Sequence, residues 1–152
     1  MKRFVGLILL FISVAAQAQL ANAVTDNHWV GTWATAQQPV VKSFMPYNNN
    51  MSGRSVRQIV KVSIGGKQLR LELSNELSRE PLVIRSVYIA HVADSFVIVP
   101  STAKYLTFGG RYNTVIPAGK AAFSDALNFD LQPLEKLAIT INYTKAPAVP
   151  TV

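Results

Sequence analysis

The chain has 152 residues, 15 Lys and Arg against 8 Asp and Glu, a formal net charge of +7, and no cysteine. Without cysteine there is no disulfide, no lipid-modified N-terminal cysteine and no thiolate metal site, so a folded domain has to be held by its core. The cations are scattered singly, without a run or an aromatic-interleaved basic stripe, which argues against nucleic-acid binding.

Lys2 and Arg3 precede an apolar run from Phe4 to Ala16, with small residues at Ala16 and Ala18 or at Ala21 and Ala23. This predicts an export signal over residues 1–23, cleaved after 18 or 23, and a secreted or periplasmic product. The apolar stretch is shorter than the ~20 residues of a spanning helix, so no membrane span is expected after cleavage. Loss of Lys2 and Arg3 leaves 13 basic against 8 acidic side chains. The remaining chain, about 130 residues, falls in the range of one domain, expected over 24–144.

A long loop, Gln37 to Gly53, precedes the stretch Arg57 to Asn75, RQIVKVSIGGKQLRLELSN. Val60, Val62 and Ile64 alternate before Gly65-Gly66, and Leu69, Leu71 and Leu73 after it. Paired glycines supply positive φ, so the expectation is a hairpin with a two-residue loop, Val62 opposite Leu69 and Val60 opposite Leu71. Lys61 would then face Arg70, a like-charge pair eased by Glu72 on the diagonal or by an acidic surface of another domain.

Short strands continue from there. Leu82, Ile84, Tyr88, Ala90 and Val92 alternate; Phe96 to Val99 and Tyr105 to Phe108 are short runs, the second ending at Gly109-Gly110. Asn113 to Ile116 leads into a Pro117-Ala118-Gly119 turn. Phe123, Leu127, Phe129 and Leu131 mark one further strand, and Leu137, Ile139, Ile141 and Tyr143 the last. Roughly eight strands without a helical stripe predict an all-β, antiparallel β-sandwich of jelly-roll-like topology. Lys145 to Val152, KAPAVPTV, has the character of an extended connector.

The segments WVGTWATA (Trp29 to Ala36), RQIVKVSIGGKQLRLELSN, PLVIRSVYIA (Pro81 to Ala90), LTFGGR (Leu106 to Arg111) and TVIPAGKAAFSDAL (Thr114 to Leu127) follow one another in an order that resembles the N-terminal β-domain of exported SGNH/GDSL-type hydrolases. A departure is Glu76-Leu77-Ser78-Arg79-Glu80, where the family commonly places a glycine before the Pro-Leu strand. The resemblance implies a β-sandwich that precedes an α/β catalytic domain, in which the serine of a Gly-Asp-Ser motif attacks an ester and an Asp-x-x-His supplies the base. Neither motif occurs in this chain. Ser124-Asp125 reads in the wrong order, and His28 and His91 are too few for a metal site.

No catalytic residue, metal or cofactor is therefore expected. The partner implied is the absent SGNH catalytic domain, with 145–152 as the start of the linker to it, and the activity served is ester hydrolysis, of acylated carbohydrate among other substrates. Arg54, Arg57 and Asn75 could face that domain, or could cap strand ends and meet solvent. The alternative is a freestanding secreted carbohydrate-binding module, for which Trp29, Trp33, Tyr47 and Tyr112 are stacking candidates, set against core packing or loop anchoring. A third reading is an exported β-protein that pairs through an exposed edge at Leu137 to Tyr143.

Overall fold

A computed structural model describes residues 28–45 and 50–151. The chain divides into two units, Met1–Val30 and Gly31–Val152. The expected export signal and its cleavage points lie outside the described residues, and residues 28–30 have no regular secondary structure.

The second unit is an all-β antiparallel sandwich. Ten strands are described: β1 (Ser55–Lys61), β2 (Gly66–Leu69), β3 (Glu72–Ser74), β4 (Leu82–Asp94), β5 (Val97–Ile98), β6 (Lys104–Leu106), β7 (Thr114–Ile116), β8 (Ala121–Phe123), β9 (Leu127–Leu131) and β10 (Lys136–Lys145). The larger sheet runs β1-β10-β4, and the free edge of β4 is shared in turn by β7, β6 and β5. Two ribbons, β2 with β9 and β3 with β8, complete the domain. The pairs β1·β10, β2·β9, β3·β8 and β4·β7 are nested, as if one long antiparallel hairpin had been rolled up, which is the wrapping of a jelly roll.

The core is aliphatic: Val60 and Val62, Leu69, Leu82 and Ile84, Val87 and Ile89, Leu106, Ile116, Phe129 and Leu131, and Leu137, Ile139 and Ile141. The alternation read along the last strand holds through these three, and Tyr143 packs against the cluster half-buried. In β4 the single phase expected from Leu82 to Val92 breaks. Ser86 and Ile84 pair with the consecutive residues Asn142 and Tyr143, so Arg85 is an extra residue and the inward face passes from Leu82 and Ile84 to Val87 and Ile89. Tyr88 thereby turns to the outer face.

The expected Gly65-Gly66 hairpin is not formed. β1 pairs with β10 and β2 with β9, so Val60 lies opposite Leu137 and Leu69 opposite Leu127. Lys61 faces Lys136 rather than Arg70. Neither glycine has positive φ; the glycines that do are Gly53, Gly109, Gly110 and Gly119. Gly65 instead permits close approach: a Cβ there would overlap the carbonyl oxygen of Leu131 and stand 3.0 Å from the ring of Pro133. The chain turns a corner from one sheet to the other. Thr32 clamps this corner, its carbonyl accepting from Ser63 N at 3.0 Å and its hydroxyl donating to Ile64 O at 2.8 Å. Ile64 is exposed at the corner, outside the alternation.

Three further expectations are corrected. The strand marked by Phe123 to Leu131 is two, β8 and β9, parted where the chain changes ribbons at Ser124-Asp125; Phe123 is exposed beneath Arg70, 4.8 Å from its ring centroid. The last strand is no edge, since β10 is paired on both sides. Residues 146–151, read as connector, lie against the domain. Ala146 N donates to Ser52 Oγ at 3.0 Å, Pro39 bridges Thr151, and Thr151 Oγ1 accepts from Leu77 N at 3.1 Å.

Gly65→Ala is expected to destabilise the domain by about 1–3 kcal/mol in urea unfolding, because backbone must move to admit the methyl. Gly66→Ala, whose Cβ would meet only Gln68 O at 3.6 Å, should cost less than ~1 kcal/mol. Equal losses at the two positions would restore the hairpin reading.

Candidate functional site

Asn75, one of the residues expected near a strand end, is 1% exposed. Its Nδ2 donates to the carbonyls of Glu80 (2.8 Å), Ile116 (3.1 Å) and Pro117 (3.1 Å). Its backbone N–H donates to Lys120 O at 2.8 Å, and its own carbonyl accepts from Gly119 at 3.1 Å. This one amide thus ties the 75–80 loop to the Pro117-Gly119 turn, where Gly119 takes the left-handed φ of +71°. Asn75 Oδ1 is buried with no hydrogen-bond partner among the described residues. The orientation is nonetheless fixed, since a flipped amide would turn its oxygen on three carbonyls.

The Ser124-Asp125 pair is likewise a strut. Ser124, buried, exchanges bonds with Leu71: its N–H donates to Leu71 O at 2.8 Å and its Oγ accepts from Leu71 N at 2.9 Å. Asp125 holds the Gly109-Gly110 turn. Its carboxylate accepts from Thr107 Oγ1 at 2.6 Å, Gly110 N at 2.8 Å and Gly109 N at 3.0 Å. The Thr107 hydroxyl, with those two amides, holds the Asp125 carboxyl below its ordinary range. His91 stacks on Phe129, ring centroids 4.5 Å apart, and its Nδ1 bonds Glu135, whose other oxygen accepts from Gln132 N at 2.9 Å. The bonds of Ser124 and of His91 run to different partners, so serine, imidazole and carboxylate are not aligned as a charge-relay chain. Among the described residues no three His, Cys, Asp or Glu side chains converge on a common point.

The structure does bring two sequence candidates together. Arg57 and Tyr112 are linked on the outer face of the larger sheet through Tyr88 and Tyr105, which the sequence marked only as strand positions. Arg57 reaches across β10, donating from Nε to Thr140 Oγ1 at 2.9 Å, from Nη2 to the Tyr88 hydroxyl at 2.8 Å and from Nη1 to Phe96 O at 3.3 Å. Tyr88 lies beside Tyr105 (5.5 Å, 58° between planes), and Tyr105 meets Tyr112 edge-on (5.7 Å, 69°). Tyr105, Tyr112 and Phe96 are exposed. The Thr140 hydrogen bond, aided by Arg57, draws the Tyr88 phenol below its usual pKa, whereas burial pushes Tyr143 up to about 12.

Trp29 and Trp33 are exposed, Trp33 next to the Thr32 clamp. Arg54 precedes β1, with Nε on Asn50 O at 3.1 Å. Tyr47 lies outside the described residues. Compared with known proteins, the chain matches no family model and no curated sequence.

Removing the Asn75 amide should strip three carbonyls of their donor, so Asn75→Ala is expected to cost about 2–4 kcal/mol in urea unfolding. Asn75→Asp, which sets a carboxylate against those carbonyls, should cost more. For Asp125 the folded pKa is depressed, so its contribution is present above the unfolded value near ~4 and fades as pH falls through the folded one. Asp125→Asn should therefore lower stability at pH 7 and flatten the stability–pH curve below about pH 4, measured by thermal unfolding across pH.

Proposed function

We propose that this chain is a non-catalytic accessory β-domain of an exported SGNH/GDSL-type ester hydrolase, packing against a catalytic domain and shaping access to its site. The observation that carries this reading is the use made of the motif residues. Gly65 of the SIGG segment, Asn75 of LSN, Gly109-Gly110 of FGGR, Gly119 of IPAG and Ser124-Asp125 of FSD each hold one backbone segment to another. Side chains spent this way are not available as nucleophile or base.

A packing surface is also at hand. Val41, Phe44 and Leu77 are exposed, Phe44 to 81%, on segments joined through Pro150 and Thr151: Val40 N donates to Pro150 O at 3.1 Å, and Leu77 N to Thr151 Oγ1. Exposed apolar side chains on segments tied in this way suit contact with a partner better than contact with water.

The purified chain is expected to hydrolyse p-nitrophenyl acetate no faster than buffer, whereas turnover abolished by Ser124→Ala would overturn the non-catalytic reading. Coding sequence beside that of this chain is expected to specify a Gly-Asp-Ser and Asp-x-x-His domain. The two products should co-purify, and Phe44→Ser should weaken their association several-fold. A neighbouring hydrolase that ignores this chain would contradict the pairing.

A further inference from the structure

The register assigns one side of the larger sheet an unusual set of side chains. Arg57 and Lys61 on β1 and Lys136 and Thr140 on β10 point to the same outer face, because Arg57 lies opposite Thr140 and Lys61 opposite Lys136. Like charges directly opposite one another across strands repel. Neither Lys61 nor Lys136 has an ion-pair or hydrogen-bond partner among the described residues, and both are exposed. Glu135, next to Lys136, is turned away to His91 and Gln132 N. Asp94, at the tip between β4 and β5, accepts from Ser95 Oγ and makes no ion pair with either lysine. The face therefore keeps a cationic pair with no ion-pair partner among the described residues, and the Arg57 backbone stands ~13 Å away along the strand.

Two other groups lie further along the same side, beyond the buried Ala138 and Thr140. The exposed Tyr105 and Tyr112 rings stand beyond Tyr88 on the same side. Ser55, Asn142 and Ser86 form a hydroxyl–amide–hydroxyl row across β1, β10 and β4, Asn142 Nδ2 donating to Ser86 Oγ at 2.9 Å. An acidic protein surface would answer the lysines but has no particular use for the phenols and the polar row. A nucleic acid would want denser positive charge and flat stacking faces, and these rings meet at steep angles. A sugar chain carrying carboxylates uses all of them: anions on the lysines, ring C–H faces against tyrosines, and hydroxyls along the polar row.

We infer that the outer face of the β1-β10-β4 sheet binds a carboxylate-bearing glycan, with Lys61 and Lys136 taking its carboxylates and Tyr105 and Tyr112 packing on its sugar rings. This holds whether the domain works beside a hydrolase or alone. Arg57 acts as a positioning residue, fixing Tyr88 from its bonds to Thr140 and Phe96 O.

Affinity electrophoresis and calorimetry of the purified chain against polygalacturonate and alginate test the inference, with dextran, polyglutamate and phosphatidylserine vesicles as comparators. Binding to at least one uronate polymer is expected, weakening as salt rises. None is expected to dextran, and much weaker binding to polyglutamate and vesicles. Lys61→Gln with Lys136→Gln should reduce uronate binding about tenfold while leaving the thermal midpoint unchanged or higher, because the variant relieves a repulsion and so cannot fail merely by unfolding. Tyr105→Ala should weaken binding at constant salt dependence. No binding to either uronate, equal binding to polyglutamate or vesicles, or full binding by the double lysine variant would each overturn it.

Discussion

The ladder between β4 and β10 is the constraint on which the rest of this domain depends. These are its two longest strands, and they pair from Leu137 opposite His91 to Lys145 opposite Val83. β10 is buried on both sides, with Leu137, Ile139 and Ile141 inward and Ala138 and Thr140 outward. Neither of its edges is open to water or to another chain, because β1 and β4 take one each. Once this ladder is set, β1 has one remaining place to pair and β7 another, and the ribbons β2·β9 and β3·β8 follow as the inner turns of the same roll. The irregularities within it matter as much as its regular part: the extra residue at Arg85 rotates Tyr88 outward and so creates the aromatic side of the outer face.

A second theme is the conversion of chemically capable side chains into mechanical ones. A serine, an aspartate and an asparagine in the interior or at its margin would invite a catalytic reading. Each instead satisfies backbone groups that a wrapped β-fold leaves without ladder partners. Loops that leave one ribbon for another cannot use sheet hydrogen bonds, so the cost of burying their polar atoms is met by side chains. The outer face of the large sheet follows a different logic. There Thr140 lies buried in the middle of the face, whereas the opposed Lys61 and Lys136 are exposed and without an ion-pair partner among the described residues.

Much of this was legible in the sequence and some was not, for identifiable reasons. The alternation of Leu137, Ile139 and Ile141, and of Val60 and Val62, reports which side of a strand meets the core, and those assignments hold. Alternation carries no information about which strand lies alongside, so the paired glycines were assigned to a hairpin when Gly65 serves a close crossing of backbone. The like charge opposite Lys61 was anticipated but given to the wrong strand, Arg70 in place of Lys136. Arg57 and Tyr112 were singled out, yet Tyr88 was given the same phase as Leu82 and Ile84, because a bulge leaves no mark in a pattern of alternate residues. Asn75 was read as facing a partner domain, capping a strand end or meeting solvent; its burial under the carbonyls of Glu80, Ile116 and Pro117 cannot be foreseen from its neighbours.

The nested pairing is what places every residue discussed, and it is directly observable. In isotope-labelled protein, interstrand backbone NOEs are predicted between Val60 and Leu137 and between Leu69 and Leu127, following the observed register. Backbone contacts between Val62 and Leu69 or between Val60 and Leu71 would mean that the first strands form a local hairpin, and would contradict the account at its root.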